Sequence, residues 1–313
     1  MPLDERPASI NDRTEETSEE TYTVGTEPET TYVADIDTEE EIRGLSPEEY
    51  NDANRISVHI PTDKIPLVML YGPPTSGKTM LLVRLVRYLQ QKGYTASPVR
   101  TFRPAADKNY EEICSGFDRM IANDLAAPQT DLISFMLVEV RQQGRAICRI
   151  LEVPGEHILP SGNLLAPYPL YFEEIANSNI RKIWLFILEP DWKDQSDRSL
   201  YVQKVQRLKS RMNSRDKSIF VFNKVDKTDL VRSAGSVNMR EVQKTTENLY
   251  PGIFNLFRNE NPITRFWRSH DCGFVPFQTG TYITDSSGSR HFSAGHPKFC
   301  GALWNAILRY IKG

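Results

Sequence analysis

The eight residues Gly72-Pro73-Pro74-Thr75-Ser76-Gly77-Lys78-Thr79 constrain this chain more than any other stretch. They fill every fixed position of the pattern G-x-x-x-x-G-K-[ST], and their flanks decide how they fold. Ile65 to Tyr71 is an apolar run of strand length. Met80 to Gln91 repeats apolar residues at Leu81, Leu82, Leu85, Val86 and Leu89, the spacing of one helix face. A strand that turns through glycines into a helix aims successive backbone N–H groups, and the positive end of the helix dipole, at one point before the loop. A phosphate chain is the ligand such a point suits. Gly72, Thr75, Ser76 and Gly77 then line the cradle, Lys78 reaches the β- and γ-phosphates, and Thr79 offers a hydroxyl to Mg2+.

Beyond the loop the pattern keeps alternating. A helix is expected over 107–124, two strands over 132–140 and 146–152 joined by an Arg141-Gln142-Gln143-Gly144 turn, and a helix over 170–176. The almost wholly apolar run 182–188 reads as a central parallel strand. A helix over 196–212, a strand over 218–222, a helix over 240–256, a strand over 274–277 and a closing helix over 298–311 complete the order. Strands alternating with helices, with one early hairpin, predict a mostly parallel doubly wound α/β sheet with one antiparallel hairpin strand.

In such a sheet, ligands gather at the carboxyl ends of the strands. One of these ends runs into Asn223-Lys224-Val225-Asp226. A carboxylate at Asp226 can accept from the N1–H and 2-amino groups of guanine, and adenine offers a donor at neither place. Lys224 would lie over the base, and Asn223 would tie this loop to the phosphate loop. Another end reads Glu152-Val153-Pro154-Gly155-Glu156-His157, where Gly155 can present its N–H to a γ-phosphate without a side-chain clash.

Taken in order, GPPTSGKT, E-x-P-G and NKVD, with the early hairpin, resemble the Ras-like, translation-factor-type (TRAFAC-class) P-loop GTPases over roughly residues 60–313. The resemblance implies a P-loop NTPase of the Ras-like GTPase fold, GTP and GDP as ligands, Mg2+ as the ion, and a protein effector or activating partner. It leaves nucleotide-dependent self-association open. It also implies that Thr79, Thr130 and Glu152 hold the metal and that Lys78, Gly155, Glu156 and His157 carry the chemistry. Gly280, beside Thr279, would offer a backbone N–H to guanine O6. Thr130 has a second reading as a helix-to-strand turn residue, and Glu156 and His157 a second reading as solvent-facing loop residues.

The chain departs from that family at three places. Glu152 stands where the family has Asp, and Glu156 where it has a water-orienting Gln or His. Pro73 and Pro74 carry no N–H, so the cradle relies on donors from Thr75 onward. These changes predict slow or partner-assisted hydrolysis. Two other classes stay open: a motor- or chaperone-type ATPase, since the Gly-Pro-Pro start resembles AAA+ loops, and a non-hydrolysing pseudo-GTPase scaffold. The segment of about 93–131 reads as an enlarged switch I region. Within it Arg100, Arg103 and Lys108 form either a solvated face or an internal arginine finger. The aromatic-rich run 249–257 and Trp267 read as core packing or as an effector surface.

Charge divides the chain unevenly. Residues 1–53 hold 17 acidic residues against Arg6, Arg13 and Arg43, while the whole chain is only -3. With few large aliphatics, residues 1–55 read as an acidic disordered tail ahead of a GTPase domain at 56–313. The basic charges of that body are dispersed without aromatic interleaving, which speaks against nucleic acid. Neither a secretory leader nor a run of roughly 20 apolar residues is visible, so a cytoplasmic protein without a transmembrane segment is expected. Cys114, Cys148, Cys272 and Cys300 are scattered, as reduced thiols are.

Overall fold

The computed structural model describes residues 45–104, 107–122, 135–160, 162–192, 194–259, 269–284 and 290–312. Its first half runs through helix α1 (Pro47–Asn51), strand β1 (Leu67–Tyr71), α2 (Lys78–Gln91), β2 (Tyr94–Pro98), α3 (Lys108–Ala122), β3 (Met136–Gln142) and β4 (Arg145–Glu152). Next come α4 (Gly155–Ile158), α5 (Leu170–Asn177), β5 (Lys182–Leu188), α6 (Gln195–Lys209) and β6 (Lys217–Phe222). The short hairpin β7 (Val231–Ser233) and β8 (Ser236–Val237) comes after them, then α7 (Met239–Leu249) and β9 (Gly273–Pro276). A second hairpin, β10 (Thr281–Thr284) and β11 (Arg290–Ser293), leads to α8 (Pro297–Lys312).

Seven strands form the main sheet in the order β2-β3-β4-β1-β5-β6-β9. β3 runs antiparallel to both of its neighbours, and every other pairing is parallel. The β3–β4 connection is a tight turn at Gln143-Gly144, both with positive φ (50° and 77°), a backbone that matches the twist of the flanking strands. β1 and β5 occupy the middle, and all of their residues are buried. Burying each Leu, Ile or Phe of such a strand contributes roughly 1.5–3 kcal/mol, which places the most apolar runs at the centre.

Helices cover both faces. α2 packs beside α3 and α8. Tyr71 of β1 gathers rings from Tyr168, Phe172 of α5, Phe186 of β5 and Tyr201 of α6. The run 249–257 supplies core: Tyr250, Ile253, Phe254 and Phe257 are buried, whereas Leu256 is exposed. Trp267 lies outside the described residues. Among those residues no helix is long and apolar enough to cross a membrane.

Two stretches differ from expectation. The strand β2 lies within the segment read as an enlarged switch region, adding an edge beyond the hairpin. Residues 45–55, assigned by composition to the acidic tail, fold against the body. Ser46 caps α1 in a reciprocal capping box with Glu49, and Leu45 is buried. The reason is Arg103, which is not on a solvated face but buried. It pairs with Glu49 (2.5 Å) and Asp107 (2.9 Å) and donates to the Ser57 carbonyl. Arg100 does stay exposed, bound to Glu111 and Asp118.

Candidate functional site

The carboxyl ends of β1, β4, β5 and β6 converge on the loop that opens α2. Gly77, in the left-handed conformation (φ 81°), caps α2. A Cβ there would stand 2.7 Å from Asn223 Nδ2, so both the backbone and the space demand glycine. Thr75 is also left-handed (φ 61°), and Ser76 Oγ donates to the Pro73 carbonyl at 2.8 Å. Lys78 is buried, and its Nζ donates to the carbonyls of Gly72 (3.2 Å) and Pro73 (2.8 Å). Burial pushes its pKa below the ordinary lysine value, opposed by the charges of Glu152, Glu156 and Glu189. Loop, helix and sheet order settle the architecture.

The fold is that of a P-loop α/β protein.

Thr79 Oγ1 donates to Glu152 Oε1 at the end of β4. Glu152 is 1% exposed, its Oε2 has no partner among the described residues, and burial raises its pKa to about 8. A carboxylate in that position is under-coordinated. A cation beside Thr79 and Glu152 would offset the cost of its charge, so the donor set fits Mg2+. No cluster of three or more His, Cys, Asp or Glu forms a self-sufficient metal cage among the described residues. A metal here would draw its remaining ligands from phosphate and water.

Gly155 abuts the loop. A Cβ on it would lie 2.2 Å from Pro74 N and 2.5 Å from Pro73 C, so only glycine permits this packing of α4 against the two prolines. Glu156 is exposed. His157 departs from the expectation of a solvent-facing loop. Its Nδ1 shares a 2.7 Å hydrogen bond with the Tyr171 hydroxyl, among the rings of Phe135 and Tyr171. The structure therefore points it into the aromatic core. Thr130 lies outside the described residues.

The Asn223–Asp226 loop meets the phosphate loop directly. Asn223 Nδ2 donates to the Ser76 carbonyl at 2.8 Å, and Lys224 Nζ donates to the Thr75 carbonyl at 2.9 Å. Asp226 Oδ1 is buried and unpartnered among the described residues. Such an orphan acceptor is a place for a ligand's donors. Thr279 is buried, and its Cγ2 lies 3.2 Å from the position of a Cβ on Gly77; Gly280 has a φ of 97°. The loop that carries them is anchored by hydrogen bonds from Val225 N to the Phe277 carbonyl and from Phe277 N to the Phe222 carbonyl.

Two contributors escaped the sequence reading. Arg84, on the buried side of α2, donates to the carbonyls of Gln278 and Gly295 and lies over the Phe277 ring. It fastens the Thr279–Gly280 loop to the phosphate-loop helix. Glu189, at the end of β5, is buried and forms an ion pair with Lys224. Beside this pair a cavity of about 740 Å3 opens between Pro74, Thr75, Leu164, Trp192, Leu200 and Lys224. An unpaired Arg inside a helix stripe or a Glu after an apolar strand carries no local signal, since both act through partners distant in sequence.

No family model matches the chain, and no curated protein does. Solved structures do superpose on it. A chain described as nucleolar GTP-binding protein 1 from Plasmodium falciparum matches at 14% identity and a TM-score of 0.39, over 81% of this chain and 90% of that one. Toc33 from Arabidopsis thaliana, in complex with GDP and Mg2+, matches at 12% and 0.42, over 80% and 85%. Roco2 RocCORdC from Methanosarcina barkeri, bound to GDP, matches at 12% and 0.33, over 83% of this chain. This chain spans only 53% of that protein's length. At these identities the fold rests on the sheet order and loop geometry themselves.

Proposed function

We propose that this chain is a Mg2+-dependent guanine-nucleotide-binding protein that hydrolyses GTP slowly or with help from a protein partner. The observation that carries the reading is the tie between two loops. Asn223 fastens the NKVD loop to the phosphate loop at 2.8 Å, with Asp226 Oδ1 buried and without a partner among the described residues. A site that leaves a buried carboxylate unpaired with the wrong base discriminates by orders of magnitude, and guanine alone supplies the donors.

The residue roles in this reading follow the same loops. Gly72, Thr75, Ser76, Gly77 and Lys78 would hold the phosphates, Asn223, Lys224 and Asp226 the base, and Thr279 and Gly280 its far edge. Thr79 and Glu152, with Thr130 from outside the described residues, would hold Mg2+, whose charge neutralises the phosphate oxygens when bound. Slow turnover is supported by the two residues after Gly155. Glu156 is an anion where a neutral water-orienting group is needed, and His157 is engaged with Tyr171. A scaffold that binds nucleotide without cleaving it rests on the same pair of residues, and phosphate release in single turnover separates the two.

Calorimetry with Mg2+ tests the base. GTP should bind at least a hundredfold more tightly than ATP, and Asp226→Ala should abolish that preference. Equal binding of the two nucleotides, indifferent to Asp226, would instead favour the ATPase class.

A further inference from the structure

We infer that Glu189 is a positioning residue for the nucleotide: its carboxylate holds the Lys224 ammonium against the Thr75 carbonyl and so fixes the face that Lys224 turns to the base. This rests on the guanine-nucleotide reading above. Lys224 is a non-glycine residue in the left-handed region (φ 53°). That backbone costs of order 1 kcal/mol or more and persists only where the surroundings over-determine it. Here they do. Asn223 N donates to the Leu188 carbonyl at 2.7 Å, Val225 N to the Phe277 carbonyl at 3.1 Å, and the side chain is held by Thr75 and Glu189.

Glu189 comes from a rigid point. The Tyr250 hydroxyl donates to its carbonyl (2.8 Å) and accepts from its N–H (3.3 Å). Arg198 pins the next turn through the carbonyls of Pro190 (2.7 Å) and Trp192 (2.8 Å). A carboxylate on such a support, 3% exposed, is held at one point, where burial pushes its pKa up and the Lys224 ammonium pulls it down. Lys224 is the cation in ion-pair contact with it. Without Glu189, the Lys224 ammonium would keep the Thr75 carbonyl but lose its anion, its four-carbon stem would sample more rotamers, and the base would have to order it on binding.

A neighbouring pair makes the contrast. Lys227 and Asp191 meet at 3.2 Å with both side chains about half exposed, 48% and 52%. Exposed pairs of this kind contribute little. Thus two acid–base pairs flank the same loop, one buried and tied to the phosphate loop, one solvated and not.

The test is titration calorimetry of GTP and of GDP, with Mg2+, into the full chain and its variants, with the melting temperature of each protein taken without nucleotide. Glu189→Gln should weaken both nucleotides about tenfold. Lys224→Met should weaken them at least as much, and the Glu189→Gln/Lys224→Met double variant no further. That coupling is the readout a merely structural role would not produce. Asp191→Asn should bind as the unaltered protein does. Affinity of Glu189→Gln within twofold of the unaltered protein, or losses that multiply in the double variant, would overturn the inference. If Glu189→Gln does not fold, Glu189→Asp keeps the charge but withdraws it by one methylene. A threefold or greater loss there supports the role, and unchanged affinity overturns it. Failure of the unaltered protein to bind either nucleotide overturns the underlying reading, whereas binding that ignores Glu189 overturns this inference alone.

Discussion

The His157 ring lies edge-on to Phe135 and Tyr171, with its Nδ1 on the Tyr171 hydroxyl. Burial there disfavours the imidazolium and brings the pKa from the usual 6.5 down to about 4. A histidine with a depressed folded-state pKa adds stability above its unfolded pKa, and that stability is lost as pH falls toward the folded value. The native state should therefore weaken between about pH 6.5 and pH 4, by about 1–3 kcal/mol from this residue. Urea midpoints across that range, compared with His157→Gln, check it: the variant should show a shallower fall, and parallel curves would contradict the assignment. Glu152 shows the other sign at the same scale, a buried acid whose pKa rises to about 8 beside the Thr79 hydroxyl.

Among the elements, α2 does two jobs, offering its N-terminus to the loop and, through Arg84, fastening the chain after β9. Arg84→Met removes charged hydrogen bonds to two carbonyls, each worth about 1.5–3 kcal/mol. The variant should lose about 2–4 kcal/mol by urea unfolding and bind guanine nucleotide at least fivefold more weakly. Retained affinity would show that the Thr279–Gly280 loop needs no such anchor. Much of this architecture is legible in the sequence because β1, β5 and β6 are continuous apolar runs and α2 carries its stripe directly after the glycines. β2 is not, since Tyr94-Thr95-Ala96-Ser97-Pro98 alternates half-buried and exposed residues and ends in proline, as an edge strand does. The hairpin of β3 and β4 matches its expectation from Met136 onward, and positions 132–134 of the expected first strand lie outside the described residues. At the site, the motif residues are visible by spacing, while the Lys224–Glu189 and Arg84–Gln278 contacts join residues far apart in the chain and leave no periodic trace.

For the molecule as a whole, the stretch from Leu45 to Ile60 works as a strap. Glu49 pairs with Arg103, His59 N donates to the Phe102 carbonyl (2.7 Å), and Asn54 accepts from Leu170 N (3.1 Å). It thus touches both the segment after β2 and the start of α5. Arg103→Met leaves Glu49 and Asp107 without their shared cation, and breaking a buried pair from one side costs about 3–5 kcal/mol. Thermal or urea unfolding should register that loss, and Glu49→Gln added to the Met variant should recover part of it. Trp192, finally, stands on the wall of the cavity that also exposes Thr75 and Lys224, while Trp184 is buried against Tyr71 and Phe172. The protein therefore carries its own optical reporter: ultraviolet emission from Trp192 should change colour or intensity when nucleotide arrives, and Trp192→Phe should diminish that change.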